Sequence, residues 1–383
     1  MGNSGMRWSK TPASLALFCA LSAFSPLQAL GSPTAQPADF FPPDTSAARL
    51  YETSCTACHG SDGRGQSSSQ VGFELALPDF SDCNFASREP DSDWFAVIHD
   101  GGPARGFAKL MPAFGEALND QQIQSVLNHV REFCGDDAWP RGELNLPRAL
   151  VTEKAYPEDE AVITTVVAAE GPGSVENLFL FEKRFGKRGQ IELRLPLAFS
   201  DTGEPDGWQT GFGDVDVGFK YSAFHSSRSG SIFAFGADIV LPTGDEQLGL
   251  SKGTTVFEPY LAFGQFLPLQ SFLQLQAVTE FPADRDMADE LAVRAVIGRT
   301  WNARRWGRGW TPMLEVLAGR ELESGADTNI DLLPQLQVTL NTRQHIMANL
   351  GVRLPLTNAD ARNTQVLVYL LWDWFDGGFL EGW

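Results

Sequence analysis

From about Ala161 onward the chain alternates polar and apolar residues with a period of two, and that pattern commits more than half of it to β-structure. In Asp214-Val215-Asp216-Val217-Gly218-Phe219-Lys220-Tyr221-Ser222 every odd position is apolar or aromatic and every even one small or polar. Gln190 to Leu195, Phe233 to Ile239, Gln274 to Gln276 and Met347 to Leu354 repeat it. In the last segment Val366, Val368, Leu370, Trp372 and Trp374 share one face, and Gln365, Tyr369 and Asp373 the other. About twelve such segments of roughly ten residues can be counted, long enough for tilted strands to cross a bilayer. An even number suits closure into an antiparallel barrel, although a soluble sandwich would alternate in the same way.

The connections favour the membrane barrel. Numbered from a periplasmic start, the odd ones are longer and acidic, carrying Asp201, Glu204 and Asp206, then Asp284, Asp286, Asp289 and Glu290, then Glu321, Glu323 and Asp327. Even ones are mostly shorter and basic, with Lys183, Arg184, Lys187 and Arg188, then Arg228, then Arg304, Arg305 and Arg308, then Arg343. Long outer loops and short periplasmic turns are the habit of outer-membrane barrels. Pro196, Pro259 and Pro334 fall inside expected strands, where each removes a ladder donor and implies a bulge.

Ahead of this half, Cys55-Thr56-Ala57-Cys58-His59 places two thiols three positions apart with an imidazole directly after. That spacing is the attachment pattern of a c-type haem: Cys55 and Cys58 bond the vinyl groups, and His59 turns to the iron as proximal ligand. Zinc or a dithiol couple would need neither the adjacent histidine nor its position. One covalent haem c is the expected cofactor.

From Thr45 to Cys134 the chain resembles a small class I cytochrome c. Thr45 can cap a helix with Ala47, Leu50, Tyr51 and Ser54 on one face. A second helix reads Asp91 to Asp100, stopped by Gly101-Gly102, and a third is capped by Asn119 with Gln122 three residues on. The third carries Ile123, Val126, Leu127, Val130 and Phe133 on one stripe and, by the resemblance, crosses the first helix. The resemblance also implies that Met111, in Met111-Pro112-Ala113-Phe114-Gly115, is the second axial ligand. His99 and His129 are its rivals, each on a helix. A His59/Met111 haem with no open position is expected to carry electrons, not to catalyse bond chemistry.

Within the barrel half, Gly213 to Tyr221 and Leu241-Pro242-Thr243-Gly244-Asp245 through Gly253-Thr254-Thr255 to Glu258-Pro259 resemble the MetA-pathway phenol-degradation family. The resemblance implies a porin-like barrel, with passage of an organic solute as a possible role.

The expected organisation is therefore multidomain: a signal peptide over 1–31 (Arg7, Lys10, an apolar run from Leu15 to Phe24, small residues near Ala29), a flexible lead over 32–44, an all-α cytochrome c domain over 45–136, a linker over 137–160, and an all-β antiparallel barrel of about twelve strands over 161–383. Cys19 leaves with the signal, which puts Cys83 and Cys134 in an oxidising compartment as a disulfide or as two buried thiols. The linker reads as polar and solvated, Glu158-Asp159-Glu160 included. Net charge is -19, which argues against nucleic acid. Between Ala47 and Asp136 acids outnumber bases about two to one, so the haem domain is expected to dock on the basic turns. Three functions follow: electron passage between a donor at or beyond the outer membrane and periplasmic redox partners, solute transport with an accessory cytochrome, or a soluble periplasmic carrier with a β docking domain.

Overall fold

The computed structural model describes residues 45–170, 173–201, 207–302 and 309–373. The expected signal and lead, with Cys19, lie outside these residues, as do Glu204, Asp206, Arg304, Arg305, Arg308 and Trp374.

Six helices come first: α1 Ala47–Ser54, α2 Thr56–His59, α3 Ser68–Val71, α4 Cys83–Ala86, α5 Asp91–Asp100 and α6 Asp120–Glu132. At α6 the expected capping box forms, Gln122 N donating to Asn119 Oδ1 at 3.0 Å and Asn119 N to Gln122 Oε1 at 2.9 Å. Such a cap stabilises a helix by about 1 kcal/mol. Ile123, Val126, Leu127 and Val130 are buried, and Tyr51 of α1 meets His129 and Phe133 edge-on or tilted at 5.4 and 5.3 Å. The N-cap of α1 is Ser46, not Thr45, and it makes no side-chain capping bond.

Cys83 and Cys134 are disulfide-bonded across a separation of 51 residues, tying α4 to the end of α6. Closing a loop of that size is worth about 3–4 kcal/mol. A C83A/C134A variant is expected to lose about that much unfolding free energy, read as a lower urea midpoint at unchanged m; an unchanged midpoint would show that the bridge is redundant.

Strands follow in order: β1 Glu160–Ala168, β2 Ser174–Phe185, β3 Gly189–Asp201, β4 Trp208–Phe212, β5 Val215–Ser226, β6 Ser231–Leu241, β7 Val256–Leu267, β8 Ser271–Pro282, β9 Glu290–Arg299, β10 Trp301–Asn302, β11 Gly309–Glu321, β12 Asn329–Thr339, β13 Ile346–Pro355 and β14 Gln365–Asp373. Short β4 and β10 extend the ladder at its ends, and the remaining twelve close into an antiparallel barrel through β9 on β11 and β14 on β1. Closure removes every free edge, as a lipid environment requires.

The alternation resolves as polar inside and apolar outside. Glu182, Gln190, Glu192, Lys220, Gln276, Glu315 and Asn349 are buried in the lumen, while Phe181, Ile191, Phe219, Phe235, Leu261, Ile297 and Leu350 are exposed on the outer wall. A soluble sandwich has the opposite arrangement; an outward apolar band over a polar interior is the outer-membrane form.

Of the bulges expected at the prolines, one forms, opposite Pro196: Leu197 pairs with Phe212 and Arg194 with Asp216, so two residues of β3 face three between them. Pro196 and Pro334 pair in register with Leu178 and Leu314, and the β7–β8 register is the same on either side of Pro259. A strand residue directs its N–H to one neighbour only, so each proline interrupts one ladder and leaves the other intact. A second register shift falls between Ser222 and Phe224.

A larger correction concerns the connector. Residues 144–159 do not run through solvent: they enter the barrel from the end where β1 begins, turn back near its mid-height and leave at Glu160. Glu158, Asp159 and Glu160, expected to be solvated, are 0 %, 0 % and 1 % exposed. Asp159 is held by Arg88 at 2.8 Å and Lys183 at 2.6 Å, and Glu158 by Lys154.

Candidate haem site and its seat on the barrel

The Cys55–His59 motif folds as the junction of α1 and α2, with His59 N donating to Cys55 O at 2.9 Å. Tyr51, buried beneath it, donates its hydroxyl to Gly60 O at 2.9 Å. Gly60, Gly63 and Gly65 all have φ near +75°, and the chain doubles back so that Gly65 N and Gln66 N bond His59 O and Cys58 O at 2.9 and 2.7 Å. Glycine is needed at these left-handed positions.

Cys55 and Cys58 are both free thiols, half-buried. Burial, with Cys58 beside it, pushes the Cys55 thiol up to about 11. Burial also lowers the His59 pKa, favouring the neutral imidazole that an iron ligand must be. His59 Nδ1 is buried without a hydrogen-bond partner among the described residues, and the ring stacks on Phe80 at 5.0 Å.

Met111 is placed by α5 and its stop. Gly102 N donates to Met111 O at 3.0 Å, while Phe114 N and Gly115 N bond Ile98 O and His99 O at 2.9 Å. A Cβ on Gly102 would lie 2.3 Å from Ala108 O, so only glycine admits this approach. Both rival histidines are engaged: His99 Nδ1 is 2.8 Å from Asp100 and His129 Nδ1 is 3.2 Å from Glu132. Two free thiols, an imidazole whose enclosed Nδ1 has no partner among the described residues, and a thioether-bearing loop fit a c-type haem. Cys55 and Cys58 would anchor it, and His59 and Met111 would ligate it. Bound there, it supplies a one-electron couple.

From His59 an aromatic row leads toward the barrel. Phe80 lies 5.3 Å from Trp94, Trp94 lies 6.0 Å from Phe85, and the Arg131 guanidinium covers Trp94 at 3.8 Å. Phe85 and Trp94 then line a cleft with Glu89, Asp93, Phe107, Arg343 and His345, the last two belonging to the barrel. His345 bridges the halves, with Nε2 3.0 Å from Glu89 and Nδ1 3.4 Å from Asp373. Arg343 sits over Phe107 at 4.7 Å, Lys187 pairs with Asp136, and Arg188 Nε donates to Ala138 O at 2.8 Å. Turns expected to be basic thus meet the helical domain, although Arg304, Arg305 and Arg308 are outside the described residues. A cavity of about 500 Å³ remains at this seam, walled by both halves.

Below the seat the connector is bonded around the inner wall. Gln274 Nε2 donates to Pro147 O at 2.8 Å, Tyr369 Oη to Arg148 O at 2.8 Å and Arg294 Nη1 to Val151 O at 3.2 Å. Leu150 N, Thr152 N and Glu153 N donate to Gln335, Glu315 and Gln276 at 3.0, 2.6 and 3.1 Å. Arg148 pairs with Glu160, Glu182 and Glu153 at 2.6, 3.0 and 3.3 Å, and Lys220 with Glu153 at 2.6 Å. From the sequence, Gln274, Gln276, Lys220 and Tyr369 were read only as strand positions and Glu160 only as a solvated linker charge; none was expected to hold the connector. The signal lay in the charged inward positions Glu182, Glu192, Arg194 and Lys220, which need partners that the strands alone do not provide.

The family described as cytochrome C oxidase, cbb3-type, subunit III matches residues 42–130, and that described as MetA-pathway of phenol degradation matches residues 187–311. The gluconate 2-dehydrogenase cytochrome c subunit of Pantoea cypripedii is 34 % identical over 99 residues, 24 % of this chain and 21 % of that protein. The chain thus spans about a fifth of that relative's length. An outer-membrane channel of Pseudomonas putida F1 superposes with a TM-score of 0.42 and 12 % identity, covering 59 % of this chain and 98 % of the channel. The NanC porin gives 0.41 and 8 %, covering 56 % and 98 %. Residues 42–130 thus match a c-type cytochrome family, cbb3-type subunit III, and residues 187–311, within a closed twelve-strand barrel that is polar inside and apolar outside, match the MetA-pathway family.

Proposed function

We propose that this protein is an outer-membrane electron carrier. One haem c, attached at Cys55 and Cys58 and ligated by His59 and Met111, exchanges electrons between a donor at or beyond the membrane and periplasmic redox proteins. The β1-start end of the barrel, with its short basic turns, faces the periplasm, and the haem domain sits on it. The observation carrying this reading is the seat itself: the haem domain is fixed over the barrel mouth by the His345–Glu89 and Lys187–Asp136 contacts, and the lumen beneath is filled to mid-height by the connector. Packed protein at that mouth suits electron passage better than solute passage. The relative named as the cytochrome c subunit of a dehydrogenase supports a carrier role. The seam cavity of about 500 Å³ favours the second reading, a solute path beside the haem domain.

The test is the haem α-band in intact cells given a membrane-impermeant reductant too large for a pore, beside the same cells lysed. Similar rates are expected in both. Reduction only after lysis would overturn electron passage across the membrane and favour the second reading.

A further inference from the structure

The seam cavity of about 500 Å³ is roofed by residues 88–93 of the haem domain and floored by residues 142–148 of the connector. Its wall is the mouth-side ends of β7, β8 and β11 to β14. That volume lies in the range of sites for small organic molecules.

One aromatic ring is presented to it. On β7, Val256, Tyr260 and Ala262 point inward and are buried. Phe266 has the same parity and lies directly opposite the buried, inward Phe272, yet it is 44 % exposed and lines the cavity.

Neutral hydrogen-bonding groups adjoin that ring. Gln337 on β12 is 4 % exposed; its Nε2 donates to Tyr369 Oη at 3.0 Å and to Met347 Sδ at 3.1 Å, and its Oε1 has no hydrogen bond among the described residues. Thr339 Oγ1 accepts from Gly309 N at 2.6 Å, which leaves its own O–H to donate. Thr300 and Thr311 share one bond at 3.0 Å, so one of their two hydroxyl protons also stays available.

Ionic groups around the cavity are answered within the protein. Asp91 pairs with Arg141 and Asp93 with Arg105, both at 2.7 Å, while His345 meets Glu89 at 3.0 Å and Arg148 meets Glu160 at 2.6 Å. The Arg343 guanidinium covers Phe107. A charged ligand would give up its water here to meet counter-ions that are already engaged.

We infer that the seam cavity is a binding site for a small neutral saccharide. A sugar ring has an apolar C–H face for Phe266, hydroxyl protons for Gln337 Oε1 and hydroxyl oxygens for Thr339 and the Thr300–Thr311 pair. A purely apolar solute would leave those enclosed groups unpaired, which is costly. This inference deepens the solute-path reading of the cavity and rests on the seat of the haem domain, not on the haem itself.

The experiment titrates full-length, haem-loaded protein calorimetrically in micelles of lauryldimethylamine oxide, a detergent without a sugar headgroup. The titrants are maltose, cellobiose, lactose and mannobiose, with 2-naphthol as the apolar comparison. At least one disaccharide is expected to bind one-to-one, about fivefold or more weaker in F266A and unchanged in D360N, an exposed loop acid. No saturable heat from any disaccharide, equal affinity in F266A, or binding of 2-naphthol alone would overturn the site. Hydroxyl-radical footprinting of unaltered protein covers the case in which F266A misfolds. The sugar should protect Phe266 relative to Met287, an exposed loop residue, and equal oxidation of Phe266 with and without sugar would overturn the site. Binding is read without passage and at a fixed redox state, so this site and the solute path fail separately, as do this site and the α-band test.

Discussion

Replacing Cys55 and Cys58 with serine is expected to abolish covalent haem, so that the denatured full-length band loses all haem-dependent peroxidase stain. The serine hydroxyl is isosteric enough to preserve the α1–α2 junction, whose bonds from His59 N, Gly65 N and Gln66 N are all backbone. What disappears is the nucleophilic sulfur. Stain retained at the wild-type level would show that these thiols do not hold the cofactor. Two companion variants separate the roles. H59A should leave the thioethers and the stain while losing the low-spin spectrum. M111H should retain both and lower the potential, because a thioether ligand holds it above that of a second imidazole. A potential unmoved by M111H would remove Met111 from the ligand set.

Arg148→Met is expected to destabilise the whole chain by about 3–5 kcal/mol, read as a lower urea midpoint in micelles. Arg148 is enclosed within the barrel, 8 % exposed, and its guanidinium answers Glu153, Glu160 and Glu182 together. Methionine fills much of the same volume, so the loss isolates charge: three enclosed carboxylates lose their shared cation and Lys154 and Lys220 are too few to replace it. Adding Glu182→Gln should restore a large part of the loss, since the amide removes one of the uncompensated charges. A change within about 0.5 kcal/mol, the usual size for a surface substitution, would mean that water reaches the network and the connector is not sealed in the lumen. The same variant should raise single-channel conductance in planar bilayers, because the connector then has a weaker hold on the inner wall.

Elements set by local pattern were legible. The period of two placed the strands, and the stripe Ile123, Val126, Leu127 and Val130 with the Asn119–Gln122 box placed α6, because both depend on neighbours a few residues away. Cys55 to His59 pointed to a c-type haem because thioether attachment uses that spacing, and the cytochrome family match over residues 42–130 agrees. The segment before the barrel was misread for a corresponding reason. Arg148, Glu153, Lys154 and Glu158 look solvated when only their own stretch is considered, since charged residues in a proline-marked stretch usually are.

The sequence by itself determined that this chain carries a haem-attachment motif within a helical segment, followed by about twelve strands with one apolar and one polar face. Only the tertiary structure decided that the barrel closes with its polar face inward, that the connector lies within it and that the haem domain is seated on its rim. Thr152 finds Glu315 across 163 residues and Glu89 finds His345 across 256. Which distant groups meet depends on the closure and register of the barrel, and on the high cost of leaving an enclosed charge without its partner.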